Sequence, residues 1–450
     1  MLTQLTGMER LHMAVDAQMT RLSREAVDAI VSAQKEPDWL RARRHEAWQI
    51  YESMPEPRQT DEEWRRTDLR WLNWDSLARP LPTTTTANDL PSSVPVTALN
   101  PSIVILTNGT STHVAHVSPE ARATPVVVMD LAEAARERPD GVRELLGTKA
   151  VTADRGKFQA LNAAFWSGGV FVHIPHGATL AQPILVIGCG ASGTAQPRSL
   201  VTLDDSAQAT VVEWWAHEAS SQIVNGTTEI FVGTGASLTY AHVTGSAPTT
   251  RSVISQRALV GRDATLTTTN VTTGGEFQKA AIGTAITEPG ADVVMNGAYR
   301  ISGSCFVDHH TTQEHRATDG KSDLLYSGVL DGNARSVYAG TIAVAPEAQR
   351  SNAYQKNRNL LLHSGTRADS IPRLEIMADD VRCTHGATTS TLDQDQLYYL
   401  RSRGLTTAQA QSMIVEGYFE SVLERVPHSG VRDVLRDLLL KQGATRRTDA

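Results

Sequence analysis

Five segments of this chain, "AQATVVEWW", "GASLTYAHV", "RDATLTTTNV", "PGADVVMNG" and "DGKSDLLYSG", can be laid over one another. Aligned on Ala209, Ala236, Ala264, Ala291 and Lys321, they step by 27, 28, 27 and 30 residues. A period of that size marks a solenoid or array, whose units bury their apolar faces only by stacking on one another. The units are short runs rich in Val, Ile and Thr between Gly, Asp and Asn turns, which is strand composition. A sandwich would turn at closer intervals and would not repeat one small residue at one phase. The expected core is a mainly β coil of short stacked strands over residues 98–390. Such a coil ends in open strand edges, which invite a partner chain or need a cap. Here the terminal turn falls near "DDVRCTHGATTS", residues 379–390.

Helical patterns flank the core. Residues 8–54 read as helices, the second starting at Pro37 and Asp38 and stopped by Pro55 and Pro57. Trp39, Ala42, Trp48 and Tyr51 recur there at helical spacing, a packing stripe. The Pro- and Thr-rich "ARPLPTTTTANDLPSSVP" closes an N-terminal helical region and linker, residues 1–97. Residues 391–450 form a second helical region. One helix ends at Gly404, a second starts at Thr406 or Thr407 and stops before Pro427, and "SGVRDVLRDLLLKQG" makes a third. Met413, Ile414, Tyr418, Val422 and Leu423 form an apolar face that either packs internally or docks a partner.

The formal charge of −7 and the lack of a long basic run argue against nucleic acid or an anionic membrane as partner. The N-terminus has no apolar core suited to a signal peptide, and no apolar run reaches membrane-spanning length. Cys189, Cys305 and Cys383 are too few for a disulfide framework and fit a reducing cytoplasm. No GxxxxGK[ST] loop is present, so no nucleotide is expected on this chain.

Two clusters could carry chemistry. In "DDVRCTHGATTS" an extended backbone puts Cys383 and His385 on one face, because a strand repeats every two residues. Thiolate with imidazole suits iron or iron–sulfur chemistry better than calcium or magnesium. Two ligands do not close a site, so others must come from elsewhere. The second cluster, "CFVDHHTTQEH", holds Cys305, Asp308, His309, His310, Glu314 and His315. Neighbouring strand residues face opposite ways, so His309 and His310 cannot both aim inward, and a hydrogen-bonded solenoid turn is the expected reading. Glu213, beside Trp214 and Trp215, is likewise expected to be structural.

"ALNAAFWSGGVFVHIPHGATLAQPI", "DHHTTQEH", "SNAYQKNRNLLL" and "LEIMADDVRCTHGATTSTLDQDQLYYLRSRGL" resemble the SufB/SufD family of iron–sulfur cluster assembly proteins, as does the early "DEEWRRTDL". Within the family, "CTHGAT" is similar to the SufD form. SufB-like chains carry a cysteine where Asn357 stands and a glutamate where Gly386 follows His385. The resemblance implies a right-handed parallel β-helix between helical flanks. It implies a non-catalytic scaffold that pairs through the end of its β-helix with a SufB-like paralogue and through its C-terminal helices with a SufC-like ABC-type ATPase. A transient iron–sulfur cluster, shared with the partner, would form at that interface with His385 and Cys383 as ligands. The shared pairing geometry also allows the isolated chain to homodimerise. Two alternatives remain at this point, a SufB-like self-pairing scaffold and a β-helix carbohydrate-active enzyme. Aromatic residues at only 5% and the lack of a signal peptide count against the second.

Overall fold

A computed structural model describes residues 21–78, 86–108, 111–189, 193–217 and 222–441. The predicted helical start at 8–20 lies outside the described residues. The chain is mainly β, with a parallel β-solenoid core between helical flanks, as expected. Each turn contributes one strand to each of two sheets, and every strand from Ser237–Ser246 to Arg382–Thr391 is ten residues long. Sheet A runs from Thr112–Val117 to Arg382–Thr391, and sheet B from Val127–Asp130 to Arg367–Ile376. Between successive turns the pairing is parallel and in register. Ser237 faces Gln208 on one side and Thr265 on the other, and Thr265 then faces Asp292. Side chains from both sheets meet in the lumen, where Leu238, Leu266, Val293 and Leu324 pack with Val232, Val260 and Ile286.

The alanine repeat marks a corner. Ser206, Gly235, Asp263, Gly290 and Asp319 have φ of 61°, 64°, 51°, 82° and 63°, the left-handed region that Gly and Asp tolerate best. The next residue is Ala207, Ala236, Ala264, Ala291 or Gly320, small because the neighbouring corners stack directly on it. All four alanines are buried. Two of the expected positions were therefore out of phase. Ala209 lies two residues past its corner and faces Leu238, and Lys321 lies one past Gly320 and faces Asp292.

The two ends of the solenoid differ. At the N-terminal end each sheet finishes on an antiparallel strand, Thr112–Val117 beside Ile103–Thr107 and Val127–Asp130 beside Gly169–Ile174. At the other end, Arg367–Ile376 and Arg382–Thr391 each have a strand neighbour on one side only. They are also the most exposed of the long strands.

The helices lie against the outer faces of the sheets. Asp38–Ser53 and Lys157–Phe165 pack with Trp64, Trp71 and Trp74 over Val253, Phe277 and Phe306 of sheet B. In the Asp38–Ser53 stripe Trp48 and Tyr51 are buried, but Ala42 is exposed and Leu40, Arg44 and Ala47 take the inner positions. Arg198 of sheet B pairs with buried Glu229 at 2.6 Å, and Glu229 also accepts the main-chain N–H groups of Gly147 and Val151. That tie fastens the 147–151 segment to the solenoid.

At the C-terminus, Thr407–Leu423 starts on a Thr406–Gln409 capping box, and Gly404, with φ of 92°, follows Gln394–Ser402. Thr407–Leu423 and Ser429–Lys441 pack internally, on Val243, Val271, Ala298 and Leu325 of sheet A. The buried side of Thr407–Leu423 is Ala410, Val415, Phe419, Val422 and Leu423. Met413 is exposed, and Ile414 and Tyr418 are only partly covered, so the expected apolar face is rotated from the true one.

Candidate functional site at the open end of the solenoid

Cys383 and His385 stand on the terminal strand of sheet A, opposite Ala353 and Gln355 of the preceding turn. In that turn Ala353, Gln355, Asn357 and Asn359 are all about 1% exposed, so this side of the strand faces the lumen. The expected shared face is the one observed. What differs is the cover: with no further turn beyond, Cys383 is half-buried and His385 is exposed.

Cys383 rests against an apolar group that includes Ile342, Val344 and Ala353. Burial pushes its thiol pKa up, against a weaker opposing hydrogen bond with the Ala353 main chain. A positive charge placed nearby would favour the thiolate against this burial. Among the described residues no three His, Cys, Asp or Glu side chains are placed to hold a metal. Two such side chains alone do not close a metal site.

The other terminal strand and the residue after it expose apolar side chains at the same open end. Leu374, Ile376 and Met377 are 38%, 40% and 72% exposed, far more than residues of this type at equivalent positions one turn earlier. Their counterparts Ile342 and Val344 are buried. This lip was legible in "RLEIMADD", whose alternating apolar residues would be a core face if another turn followed.

Beneath it the lumen is polar. Asn357 accepts hydrogen bonds from Asn359 Nδ2 at 2.8 Å and from the Ser370 hydroxyl. Its own Nδ2 donates to the Tyr326 carbonyl at 3.4 Å. Asn359 in turn accepts from the Tyr299 hydroxyl. Asn357 is thus committed to closing the last covered turn.

The second cluster does not converge. Asp308, His310 and Glu314 lie on the outer face of sheet B, whereas His309 and His315 face the lumen. Cys305 is buried at a corner, 3.4 Å from the Gly274 carbonyl, and burial pushes its thiol up to about 12. Glu314 bridges Arg257 and Arg316, each at 2.6 Å. Burial alone would raise the Asp308 carboxyl. Hydrogen bonds and charge from His310 and Lys279 outweigh it and hold the group well below the usual carboxylate range. Lys279 and Thr67, both partners of Asp308, were not anticipated. Glu213 is structural, as expected, accepting from Ser199, Trp215, Thr228 and Tyr240.

The two lumen histidines have a consequence for acid stability. Burial pushes both His309 and His315 down to about 4 from an ordinary 6.5. The unfolded chain therefore takes up these protons at higher pH than the folded one. Their contribution is complete above about pH 6.5 and is lost as pH falls towards 4. Urea denaturation is expected to show a midpoint that falls steadily across that window. A His309→Gln/His315→Gln variant should flatten the dependence.

Comparison with known proteins decides the family. A model of the SufBD core domain of the SUF system for iron–sulfur cluster assembly matches residues 186–418, and one of the SufBD N-terminal region matches 13–186. The chain belongs to the SufB/SufD family. It is 26% identical to the iron–sulfur cluster assembly protein SufD of Bacillus subtilis, over 92% of this chain and 97% of that one. It is 28% identical to SufD of Escherichia coli, over 58% of this chain and 63% of that one. An iron–sulfur cluster assembly SufBD family protein of Mycobacterium leprae is 34% identical over 46% of this chain, a match spanning about half (55%) of that relative's length. Named SufD proteins are thus similar over most of the chain, and the SufD-type "CTHGAT" occupies the open edge of this SufBD core. No helix among the described residues is long and apolar enough to cross a membrane.

Proposed function

We propose that this chain is a SufD-like, non-catalytic scaffold that joins its open solenoid end to that of a SufB-like paralogue, with the nascent iron–sulfur cluster forming between them. Cys383 and His385 are the ligands this side supplies, and the partner supplies the rest. The observation that carries the reading is the soft-ligand pair on an uncapped turn. Soft ligands suit iron, two are too few, and the exposed Leu374, Ile376 and Met377 at the same open end call for cover. The ATP-driven part of the reading rests on a SufC-like ABC-type ATPase. Its dock would be the C-terminal helices, where Tyr398 and Tyr399 of Gln394–Ser402 are 74% and 55% exposed and that helix buries no residue. Closure of two ATPase subunits would pull on these helices, and through Arg358, which holds Ser421 at 3.1 Å and stacks on Tyr418, on the strand beside the terminal one.

Anaerobic co-expression with SufB-like and SufC-like partners tests this. Affinity purification is expected to recover a stoichiometric complex that takes up iron and sulfide, while the chain alone holds little cluster. Recovery of the folded chain free of both partners would refute the reading.

A further inference from the structure

The outer face of sheet B is not evenly filled. Near the start of its strands Val253, Phe277 and Phe306 lie under Trp64, Trp71 and Trp74. A few residues further along, the residue types change. Ser255, Ala281 and His310 stand side by side in the parallel register, and so do Arg257, Gly283 and Thr312. The middle strand supplies only Ala281 and Gly283 there, so the face dips to a small-residue floor between polar walls. Arg155, Gln159 and Glu63, from segments packed over this face, line the rest. The cavity measures about 130 Å³, well below the roughly 300–1,000 Å³ of a site for a drug-sized ligand.

Several donors lining this cavity are not used by the fold. Arg257 is 4% exposed, and its guanidinium reaches Glu314 at 2.6 Å. A Cβ at residue 283 would stand 2.9 Å from Arg257 Nη1, so glycine is what lets the side chain lie across the floor. Arg257 Nε is buried and has no hydrogen-bond partner among the described residues. The Thr312 hydroxyl and the Arg155 guanidinium have none there either. Ser255 accepts from Gln159 Nε2 at 2.9 Å, which leaves its own proton to give.

Charge leans the same way. Arg257 and Arg316 share the single carboxylate of Glu314. Burial, and after it the charge of Arg257, pushes the Arg155 pKa down, the response of a cation held near another cation. Glu63 is the only carboxylate among the described residues that line the cavity, and it is exposed.

We propose that this cavity binds a small tetrahedral oxyanion of the phosphate class, held by Arg155, the buried Arg257 Nε–H and the hydroxyls of Ser255 and Thr312. Charge-assisted hydrogen bonds from two guanidinium groups supply the affinity. The donors come from both walls and from the covering segment, a spread that suits a tetrahedral ion better than a planar carboxylate. The ion would bridge Ala153–Arg155 to the solenoid wall and stabilise the folded chain. The site lies on the side of the solenoid, away from Cys383 and His385, and does not depend on cluster assembly.

Isothermal titration calorimetry of the full chain with inorganic phosphate, at constant ionic strength, is expected to show one saturable site, with acetate binding more weakly. Arg155→Gln should weaken phosphate by about tenfold or more, the scale of a lost hydrogen bond to a charged group. Arg155 is exposed, so the variant should keep the wild-type melting temperature without phosphate. Thr312→Val, which removes one neutral donor, should weaken binding less. Glu63→Gln, which removes the opposing carboxylate, should tighten it. Opposite shifts at Arg155 and Glu63 are not expected of residues that only support the fold. The proposal is overturned by no saturable phosphate binding, by acetate binding as tightly as phosphate, or by equal phosphate affinity in Arg155→Gln and the wild type.

Discussion

His385→Ala is expected to lower the rate of cluster assembly in a fully reconstituted complex by about tenfold or more, with little change in the stability of the chain. The two halves of that expectation have separate causes. The His385 side chain is exposed and has no hydrogen-bond partner among the described residues, so truncation removes no contact seen there, and a stability change within about 0.5 kcal/mol is ordinary for such a site. On the proposed function this side supplies only two ligands, so losing one would remove half of what the chain offers to iron. Loss even of an outer-shell partner commonly weakens a metal site by about tenfold to a hundredfold, and loss of a ligand should weaken it no less. Complex formation, read by native mass, should survive. Wild-type assembly in the variant complex would remove His385 from the site and leave Cys383 alone.

The solenoid was legible because its corners impose a chemical rhythm: a left-handed residue followed by one too small to clash with the turns above and below. The phase slipped where that rhythm is degenerate. In "DSAQATVV" Ala207 and Ala209 are two apart and therefore on the same side of the chain, and in "TDGKSD" glycine replaces the corner alanine. The Cys383–His385 face was legible because strand periodicity fixes it without knowledge of neighbours. The helical face around Met413 was not. A parallel sheet covered on both sides is apolar on both, so nothing in the strand sequences says that Val243, Val271 and Ala298 look outward to receive Val415 and Phe419. Parity along the solenoid must be known first, and parity comes from register. The same holds for the "DHHTTQEH" cluster, whose decisive neighbour lies a whole turn away in sequence.

That neighbour is Lys279, and Lys279→Met is expected to cost about 3–5 kcal/mol of stability, the usual effect of leaving one member of a buried ion pair behind. Lys279 stands directly across from Asp308 in the parallel register, with Nζ 2.7 Å from the carboxylate and both side chains almost wholly buried. The same ammonium donates to the Glu63 carbonyl at 2.9 Å and sits 4.6 Å over the Trp64 ring, while the Thr67 hydroxyl donates to Asp308. One charge pair thus pins the "DEEWRRTDL" segment to the outer face of sheet B. Without the ammonium, Asp308 keeps a charge that only His310, at 3.0 Å, and a hydroxyl can answer. Adding Asp308→Asn to Lys279→Met should recover much of the loss, since a neutral amide no longer needs a cation there. A metal-site reading predicts the opposite behaviour: removing the lysine would free Asp308 and His310 to bind zinc or iron, and added metal would restore stability. Urea denaturation of the single and double variants, with and without added zinc, separates the two, because a structural ion pair is rescued by neutralising Asp308 and is indifferent to the metal.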